Sequence, residues 1–265
     1  MKRTMESAHE ARLTSLDRAV QGLRPLALVV AFVWLSARAP WWACAPLALG
    51  TVFAWSIFVH DMIHNSLRFP RRVADVFLSA AGLFLIKSGH AMRALHMRHH
   101  RRCLDEHDFE GNVVFTPFFT LLLRGPALAM RARVEAWRLD PRTRSWQAVE
   151  TALNAVTLGA LIFYALALHR PAALLYWSSV VFVTCTAPLW GAKIPHMLPY
   201  RHPLVRRLVR LTGRLTPGVA SLLLHELHHR RPGLPSALLS AHAHELQGGA
   251  ASDCAERMGY DPVTK

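Results

Sequence analysis

The fold of this chain is organised around the stretch His96-Met97-Arg98-His99-His100. On an α-helix, positions i, i+3 and i+4 share one face, so these three imidazoles point toward a common centre. The spacing recurs in His225-Glu226-Leu227-His228-His229, and a two-histidine version, His60-Asp61-Met62-Ile63-His64, precedes both. In a chain with 16 histidines among 265 residues, one HxxHH pattern is expected by chance about 0.06 times. The stretches at 60–64, 96–100 and 225–229, called boxes one, two and three, therefore predict a metal site.

The composition is typical of a membrane protein. Hydrophobic residues make up 52% of the chain, and the mean hydropathy is +0.19. Four apolar stretches indicate membrane spans. Because only short polar connections separate the first from the second and the third from the fourth, we expect an all-α integral membrane protein with two helical hairpins. We expect one membrane domain over residues 1–250 and a flexible tail over 251–265, with spans near 25–37, 40–59, 151–168 and 171–192.

The positive charges predict the orientation of these spans. With the N-terminus inside, 5 Lys/Arg precede the first span, 14 lie between the second and third, and 10 follow the fourth, so 29 of 31 are cytoplasmic. The three boxes then form part of a helical cap on the cytoplasmic side of the inner membrane. Since the net charge of +14 is explained by orientation and by anionic lipid, no nucleic-acid partner is expected.

The number of box histidines predicts the type of metal centre. Eight are too many for one tetrahedral zinc and suit two metals. Imidazole is a good ligand for iron, copper, zinc and nickel, so the residue type alone does not choose among them. All-histidine ligation with open positions is chemically suited to a di-iron centre that activates dioxygen.

The three boxes resemble those of the membrane fatty acid desaturase and hydroxylase superfamily. The order HxxxH, HxxHH, HxxHH is the same, HDMIHNSL at 60–67 is similar to the family's HDxxHxSL, and HELHHRRPGLP at 225–235 is similar to its HxxHHxxPxxP. Box three lacks the Gln, Asn or His that many members carry just before it. The resemblance covers roughly residues 55 to 245.

The resemblance implies two iron ions as cofactors and dioxygen as co-substrate. It also suggests a ninth histidine, His196 in Ile194-Pro195-His196, because this segment is similar to the Leu-Pro-His of carotenoid ketolases. Asp61 and Asp108 would accept hydrogen bonds from ligand imidazoles and fix their tautomers, and no catalytic residue beyond the ligands is expected. The implied ligands are His60, His64, His96, His99, His100, His196, His225, His228 and His229.

The implied activity is dioxygen-dependent oxidation of an unactivated C–H bond, with an acyl-lipid desaturase favoured and a carotenoid ketolase or hydroxylase as the alternative. Because the sequence shows no cytochrome b5 segment, electrons are expected from a separate carrier, a ferredoxin or a cytochrome b5-like protein with its reductase. Residues of spans two and four are candidates to line a substrate tunnel, namely Trp55, Phe58, Trp177 and Phe182.

Two other classes fit part of the pattern. His225-Glu226-Leu227-His228-His229 also contains HExxH, the zinc-peptidase signature in which glutamate activates water, but a peptidase leaves boxes one and two without a role. A metal transporter would need ligands near the middle of the spans, whereas these histidines cluster at the inner ends.

Overall fold

The computed structural model describes residues 14–167, 169–198, 200 and 202–246, with the backbone alone at 214, 215, 217 and 219. The predicted tail lies outside the described residues, and the single domain over residues 1–250 remains a prediction. In the described part the chain is helical and contains no strand. This confirms the predicted all-α class with four helices able to cross a membrane, namely Ser15–Ser36, Trp41–His64, Pro141–Ala167 and Pro171–Met197.

The first hairpin consists of α1 (Ser15–Ser36) and α2 (Ala45–His64), with a 3₁₀ turn at Trp41–Cys44 leading into α2. Helix α1 begins ten residues before the apolar run predicted from 25. The cause is a capping box: the Thr14 hydroxyl accepts the Asp17 N–H at 3.1 Å, and the Asp17 carboxylate accepts the Thr14 N–H at 2.9 Å. Hydropathy alone misses this polar first part of the helix.

The second hairpin consists of α6 (Arg144–Ala167) and α7 (Pro171–Ala187). Helix α6 starts before the predicted boundary at 151, and this extension brings the buried Glu150 into the helix. On the outer face of α6, Val156 and Phe163 are 69% and 68% exposed. Large apolar side chains so open to the surroundings are typical of a helix that faces lipid.

Between the hairpins, α3 (Arg71–Leu85) and α4 (Gly89–Arg101) meet at an angle of 105°. Ile86 ends α3 in the left-handed conformation, with φ of 51°, and Ser88 caps α4 by accepting the Ala91 N–H at 3.0 Å. The pair is apolar enough to form one broken span if both helices enter the membrane. A 3₁₀ turn at Gly111–Phe115 and the amphipathic α5 (Phe118–Leu139) complete this region, and a 3₁₀ turn at Pro141–Thr143 leads into α6.

Helix α2 lies at the centre of the larger apolar core. Its buried side chains Trp55, Phe58 and Met62 belong to one cluster with Leu78 of α3 and Val180 of α7. Because α2 packs against α1, α3 and α7, the C-terminal end of this helix, which carries box one, is held by both hairpins.

A smaller second core supports box three. After α7, a π-helical turn at Pro188–Lys193 leads into α8 (Ile194–Met197), which carries His196. The buried residues of this second core include Val205, Val209, Leu224, Leu227 and Leu239. They come from the C-terminal elements, which are α9 (Pro203–Leu215), α10 (Pro217–Leu223), α11 (His225–Arg230) and the 3₁₀ segment Ser236–Leu246.

Candidate metal centre

Box one occupies the last turn of α2. Asn65 ends the helix directly after His64 in the left-handed conformation, with φ of 49°, and its N–H bonds back to the carbonyls of Asp61 and Met62. Asparagine tolerates this conformation better than most residues. His60 and His64, one turn apart, therefore project from a rigid helix end.

Box two occupies the last two turns of α4, and box three fills the short helix α11. Helix α11 ends at Arg230, two residues before Pro232. His196 is presented differently, because it follows the π-helical turn, a distortion often found at functional sites.

All nine histidines singled out from the sequence come together at one place. The Nε2 atoms of His96 and His228 lie 3.2 and 2.8 Å from that of His100, and the Nε2 atoms of His99 and His225 lie 3.1 and 3.0 Å from that of His229. Two further contacts extend these sets: His60 Nε2 lies 3.1 Å from His228 Nε2, and His196 Nε2 lies 3.1 Å from His225 Nε2.

The donors form two groups, each compact enough to hold one ion. The candidate ligand atoms of each group lie within 4.8 Å of one another. His100 links the groups, since its ring stacks on His229 with centroids 4.3 Å apart while its Nε2 contacts His228 of the other group. The first group is His60, His64, His96 and His228, and the second is His99, Cys103, His196 and His229.

Hydrogen bonding among the rings does not account for these contacts. A ring nitrogen carries either a proton or an in-plane lone pair, so one Nε2 cannot donate to one neighbour and accept from another. Yet His229 Nε2 and His100 Nε2 each face two other Nε2 atoms. His64 Nε2 is buried without a hydrogen-bond partner. Cations that accept lone pairs from all sides satisfy such an arrangement, so the residues present fit a pair of metal ions.

The protonation of these rings also suits metal binding. Burial lowers the pKa of His100 to about 3, and it lowers the pKa of His96, His228 and His229 well below the usual 6.5, with neighbouring histidines adding to the effect. Neutral imidazole is the form that binds a metal. In the metal-free protein these rings are therefore already in the ligand form at neutral pH.

Asp108 lies where the sequence placed it, against a ligand ring. His99 Nδ1 donates to Asp108 Oδ2 at 2.7 Å, and the backbone N–H groups of Leu104 and Gly111 donate to the same carboxylate at 2.8 and 3.0 Å. Burial opposes ionisation, but these hydrogen bonds lower the pKa of Asp108 overall. The contact leaves His99 Nε2 directed toward His229 Nε2, on the side where a metal would bind.

Asp61 reaches a ligand only indirectly, unlike the direct contact predicted from the sequence. Among the described residues its Oδ1 accepts the Ser66 hydroxyl, at 3.1 Å, and the Ser236 hydroxyl, at 2.8 Å. Ser236 Oγ in turn lies 3.4 Å from His60 Nδ1. Glu110 was not predicted from the sequence, and its carboxylate lies 3.0 Å from His96 Nδ1. Neither Ser236 nor Glu110 has a characteristic spacing from a box, so only the fold brings them to it.

Cys103 is the one sulfur in the second group. Because it is disulfide-bonded, its sulfur is not a thiolate ligand. Cys44 and Cys185 are free thiols. The donors that remain in both groups are imidazole nitrogens.

The predicted tunnel residues separate into two kinds. Phe182 is 58% exposed on the outer face of α7, so its assignment to a tunnel was wrong. Apolar composition alone does not distinguish the lipid-facing side of a span from its inner side. Trp55 and Phe58 are buried, with Trp55 stacked on Phe84 at a centroid distance of 4.1 Å, and Trp177 is partly buried. For these three residues a tunnel role remains a prediction.

Glu226 does not behave as the base of a zinc peptidase. Its carboxylate pairs with Arg230, one turn later on α11, at 2.7 Å. The two histidines of the HExxH pattern, His225 and His229, are engaged with His196 and His99. The peptidase alternative explains neither the ion pair of Glu226 with Arg230 nor the seven histidines of the cluster other than His225 and His229.

Fold and site together define a class, that of helical membrane proteins in which histidines at the ends of helices form a candidate metal site. Comparison with known families is consistent with this class: the fatty acid desaturase model matches residues 39–260 and thus includes all three boxes. The chain belongs to the fatty acid desaturase family. No curated protein and no solved structure matches it significantly.

Proposed function

We propose that the protein is a membrane-bound, di-iron, dioxygen-dependent desaturase acting on an acyl lipid. Membership of the family supports an oxidoreductase of the desaturase or hydroxylase type. The nine histidines would hold the two ions, the first group through boxes one, two and three, and the second group with the help of His196.

The observation that carries the proposal is the convergence of nine histidine rings, of which seven belong to the two adjacent groups while His100 and His225 contact members of these groups. A peptidase or a structural zinc site needs no more than four ligands, fewer than the nine of the 16 histidines that lie in the three boxes or at position 196. When bound, the iron ions would supply the activation of dioxygen that oxidation of an unactivated C–H bond requires.

The protein residues would position the ions and control access to them. Asp108 and Glu110 would orient the rings of His99 and His96 through Nδ1, and hydrogen bonds of this kind raise the basicity of a ligand. The apolar residues around α2, including Met62, would limit entry of water from the side of the core.

We place the centre on the cytoplasmic side of the inner membrane, on the basis of the Lys/Arg distribution. Electrons would then reach it from a separate soluble or membrane-attached carrier, such as a ferredoxin or a cytochrome b5-like protein with its reductase.

The test is expression in an iron-supplied host followed by mass spectrometry of lipids and carotenoids and by metal analysis of the purified protein. Desaturation predicts a lipid species lighter by two hydrogen atoms. His99→Ala should remove the product and lower the iron content, whereas His107→Ala, a change at an exposed histidine outside the cluster, should leave both unchanged. Product that persists in His99→Ala, or purified protein without iron, would overturn the proposal. An oxygen-containing product instead of an alkene would favour the hydroxylase or ketolase alternative.

A further inference from the structure

Cys103 lies in the second group of donors, and its sulfur is the one member of that group that is not an imidazole nitrogen. The Cys103 Sγ and the ring nitrogens of His99, His196 and His229 all lie within 4.8 Å of one another. Ligands on one ion, with metal–sulfur and metal–nitrogen bonds of about 2.3 and 2.1 Å, are at most about 4.4 Å apart. A small rotation of side chains is therefore enough for the sulfur to share an ion with these rings.

The backbone around Cys103 holds the sulfur in this place. Cys103 follows His99 by four positions, just after α4 ends at Arg101, and it is buried. The next residue, Leu104, has a left-handed backbone with φ of 61°, which residues with a side chain rarely adopt. The Leu104 N–H and His99 Nδ1 donate to the same oxygen, Asp108 Oδ2, at 2.8 and 2.7 Å. One carboxylate thus fixes both the ring of His99 and the turn that carries the sulfur.

The oxidation state of Cys103 decides whether its sulfur can bind a metal. In the structure Cys103 is disulfide-bonded, whereas the thiolate is the form of cysteine that binds metals. A dithiol reductant converts a disulfide into two thiols by transferring two electrons and two protons, and it becomes a cyclic disulfide itself. The Cys103 thiol then releases its proton to solvent when it binds the ion. Since the cytoplasm, on which side we place the centre, keeps thiols reduced, this reaction is expected there.

We propose that Cys103 is a redox-dependent ligand of the second group. In the disulfide form it leaves the ion to the imidazole rings, and in the thiolate form it binds the ion beside them. A thiolate is softer than imidazole and carries a negative charge, so it stabilises the more oxidised state of the ion and occupies one coordination position. The inference rests on the proposed function for the identification of the ion as iron, whereas ligation by sulfur can be tested with another metal.

The experiment uses the purified full-length protein in a neutral detergent, freed of metal and then saturated with cobalt(II). Cobalt bound by a thiolate has an intense sulfur-to-metal charge-transfer absorption in the near ultraviolet, which imidazole ligands alone do not produce. One sample is oxidised with diamide, and the other is reduced with dithiothreitol, which is removed before cobalt is added. The reduced protein should show this absorption band, and the oxidised protein should lack it.

Cys103→Ser should lose the band in both states while it still binds cobalt through the rings. Cys185→Ser is the matched control, because it removes a free thiol on α7, and it should keep the band in the reduced state. In Cys103→Ser the former partner of Cys103 is left as a free thiol. A band that persists in this variant would therefore come from another sulfur and would overturn the assignment.

The comparison of the two wild-type states requires no substitution, so it tests the inference even if Cys103→Ser fails to fold. Identical spectra of the cobalt-loaded oxidised and reduced protein would overturn the inference, and so would mass spectrometry that finds no Cys103 disulfide after oxidation. Failure to bind cobalt in either state would overturn the metal centre and this inference with it. Because no turnover is measured, failure of the proposed function would appear separately, as missing iron or missing product in the expression host.

Discussion

Replacing Glu150 by alanine should cause a large loss of stability although the residue lies outside the histidine cluster. Glu150 lies near the start of α6 with its side chain 1% exposed. It accepts hydrogen bonds from the hydroxyls of Ser79 and Ser88, both at 2.5 Å, and from His90 Nδ1, at 2.7 Å. His90 follows none of the box spacings, and its ring stacks on Trp146 at 4.9 Å. One carboxylate thus joins α6, α3 and the first turn of α4.

The size of the loss follows from what the substitution leaves behind. Hydrogen bonds to a charged group are each worth about 1.5–3 kcal/mol, and they are not additive when they share one acceptor. Removing one member of a buried charged network leaves the other members unpaired and typically costs about 3–5 kcal/mol. We expect a decrease of this size for Glu150→Ala, and a smaller decrease for Glu150→Gln, because the amide oxygen still accepts one or two of these bonds.

The assay is reversible unfolding of the purified protein in mixed micelles, followed by circular dichroism, with the metal content determined in parallel. Glu106→Ala is the matched control, since the Glu106 side chain is 84% exposed, and its unfolding free energy should stay within about 0.5 kcal/mol of wild type. If Glu150→Ala unfolded at the same denaturant concentration as this control, the reasoning that this network anchors α4 would be refuted.

Three further outcomes are expected. Asp108→Asn should weaken iron binding about 10–100-fold in competition with a chelator, and Asp105→Asn in the same loop should not; equal iron affinities would contradict the role given to the carboxylate. Glu226→Gln should keep iron and product, because it removes only a partly buried i,i+4 ion pair with Arg230, and i,i+4 pairs are typically worth about 0.3–0.5 kcal/mol; loss of all activity with iron retained would instead indicate a catalytic glutamate. Burial lowers the pKa of His228 and His229 below the unfolded value of 6.5, so the unfolded chain binds more protons below about pH 6.5. The unfolding free energy of the metal-free protein should therefore fall as the pH is lowered from about 8 to about 5, and a rise measured by the same micelle titration would be inconsistent with these pKa values.

The helical class and the clustering of imidazoles within each box could be predicted from the sequence, because both depend on short-range periodicity. The i, i+3, i+4 spacing puts the three imidazoles of box two on one face of their helix, whatever the helix packs against. Four apolar stretches indicate four helices, because a segment in lipid must satisfy its backbone hydrogen bonds internally. The helix boundaries were less accurate, since the capping box at Thr14 and Asp17 extends α1 through residues that hydropathy assigns to the exterior.

The groups behind the ligands could not be predicted in the same way. Glu110 reaches His96 only after a loop turns back at Asp108, and Ser236 reaches His60 across 176 positions of sequence. Such contacts depend on how helices pack, not on a local period. Phe182 illustrates the same limit, because an apolar span presents similar residues to lipid and to the protein interior.

The arrangement of the nine histidines links metal binding to the packing of the whole membrane domain. Box one belongs to the first hairpin, His196 follows the second hairpin, and boxes two and three belong to the segments after each. No single element contributes more than three of the rings, so neither group of donors forms until these separate segments have packed together. The apolar contacts of α2 with α3 and α7 bring the candidate ligands close, and their Nε2 atoms then face one another. Packing thus builds a site that a cation completes, which is why folding and metal binding are expected to depend on each other in this chain.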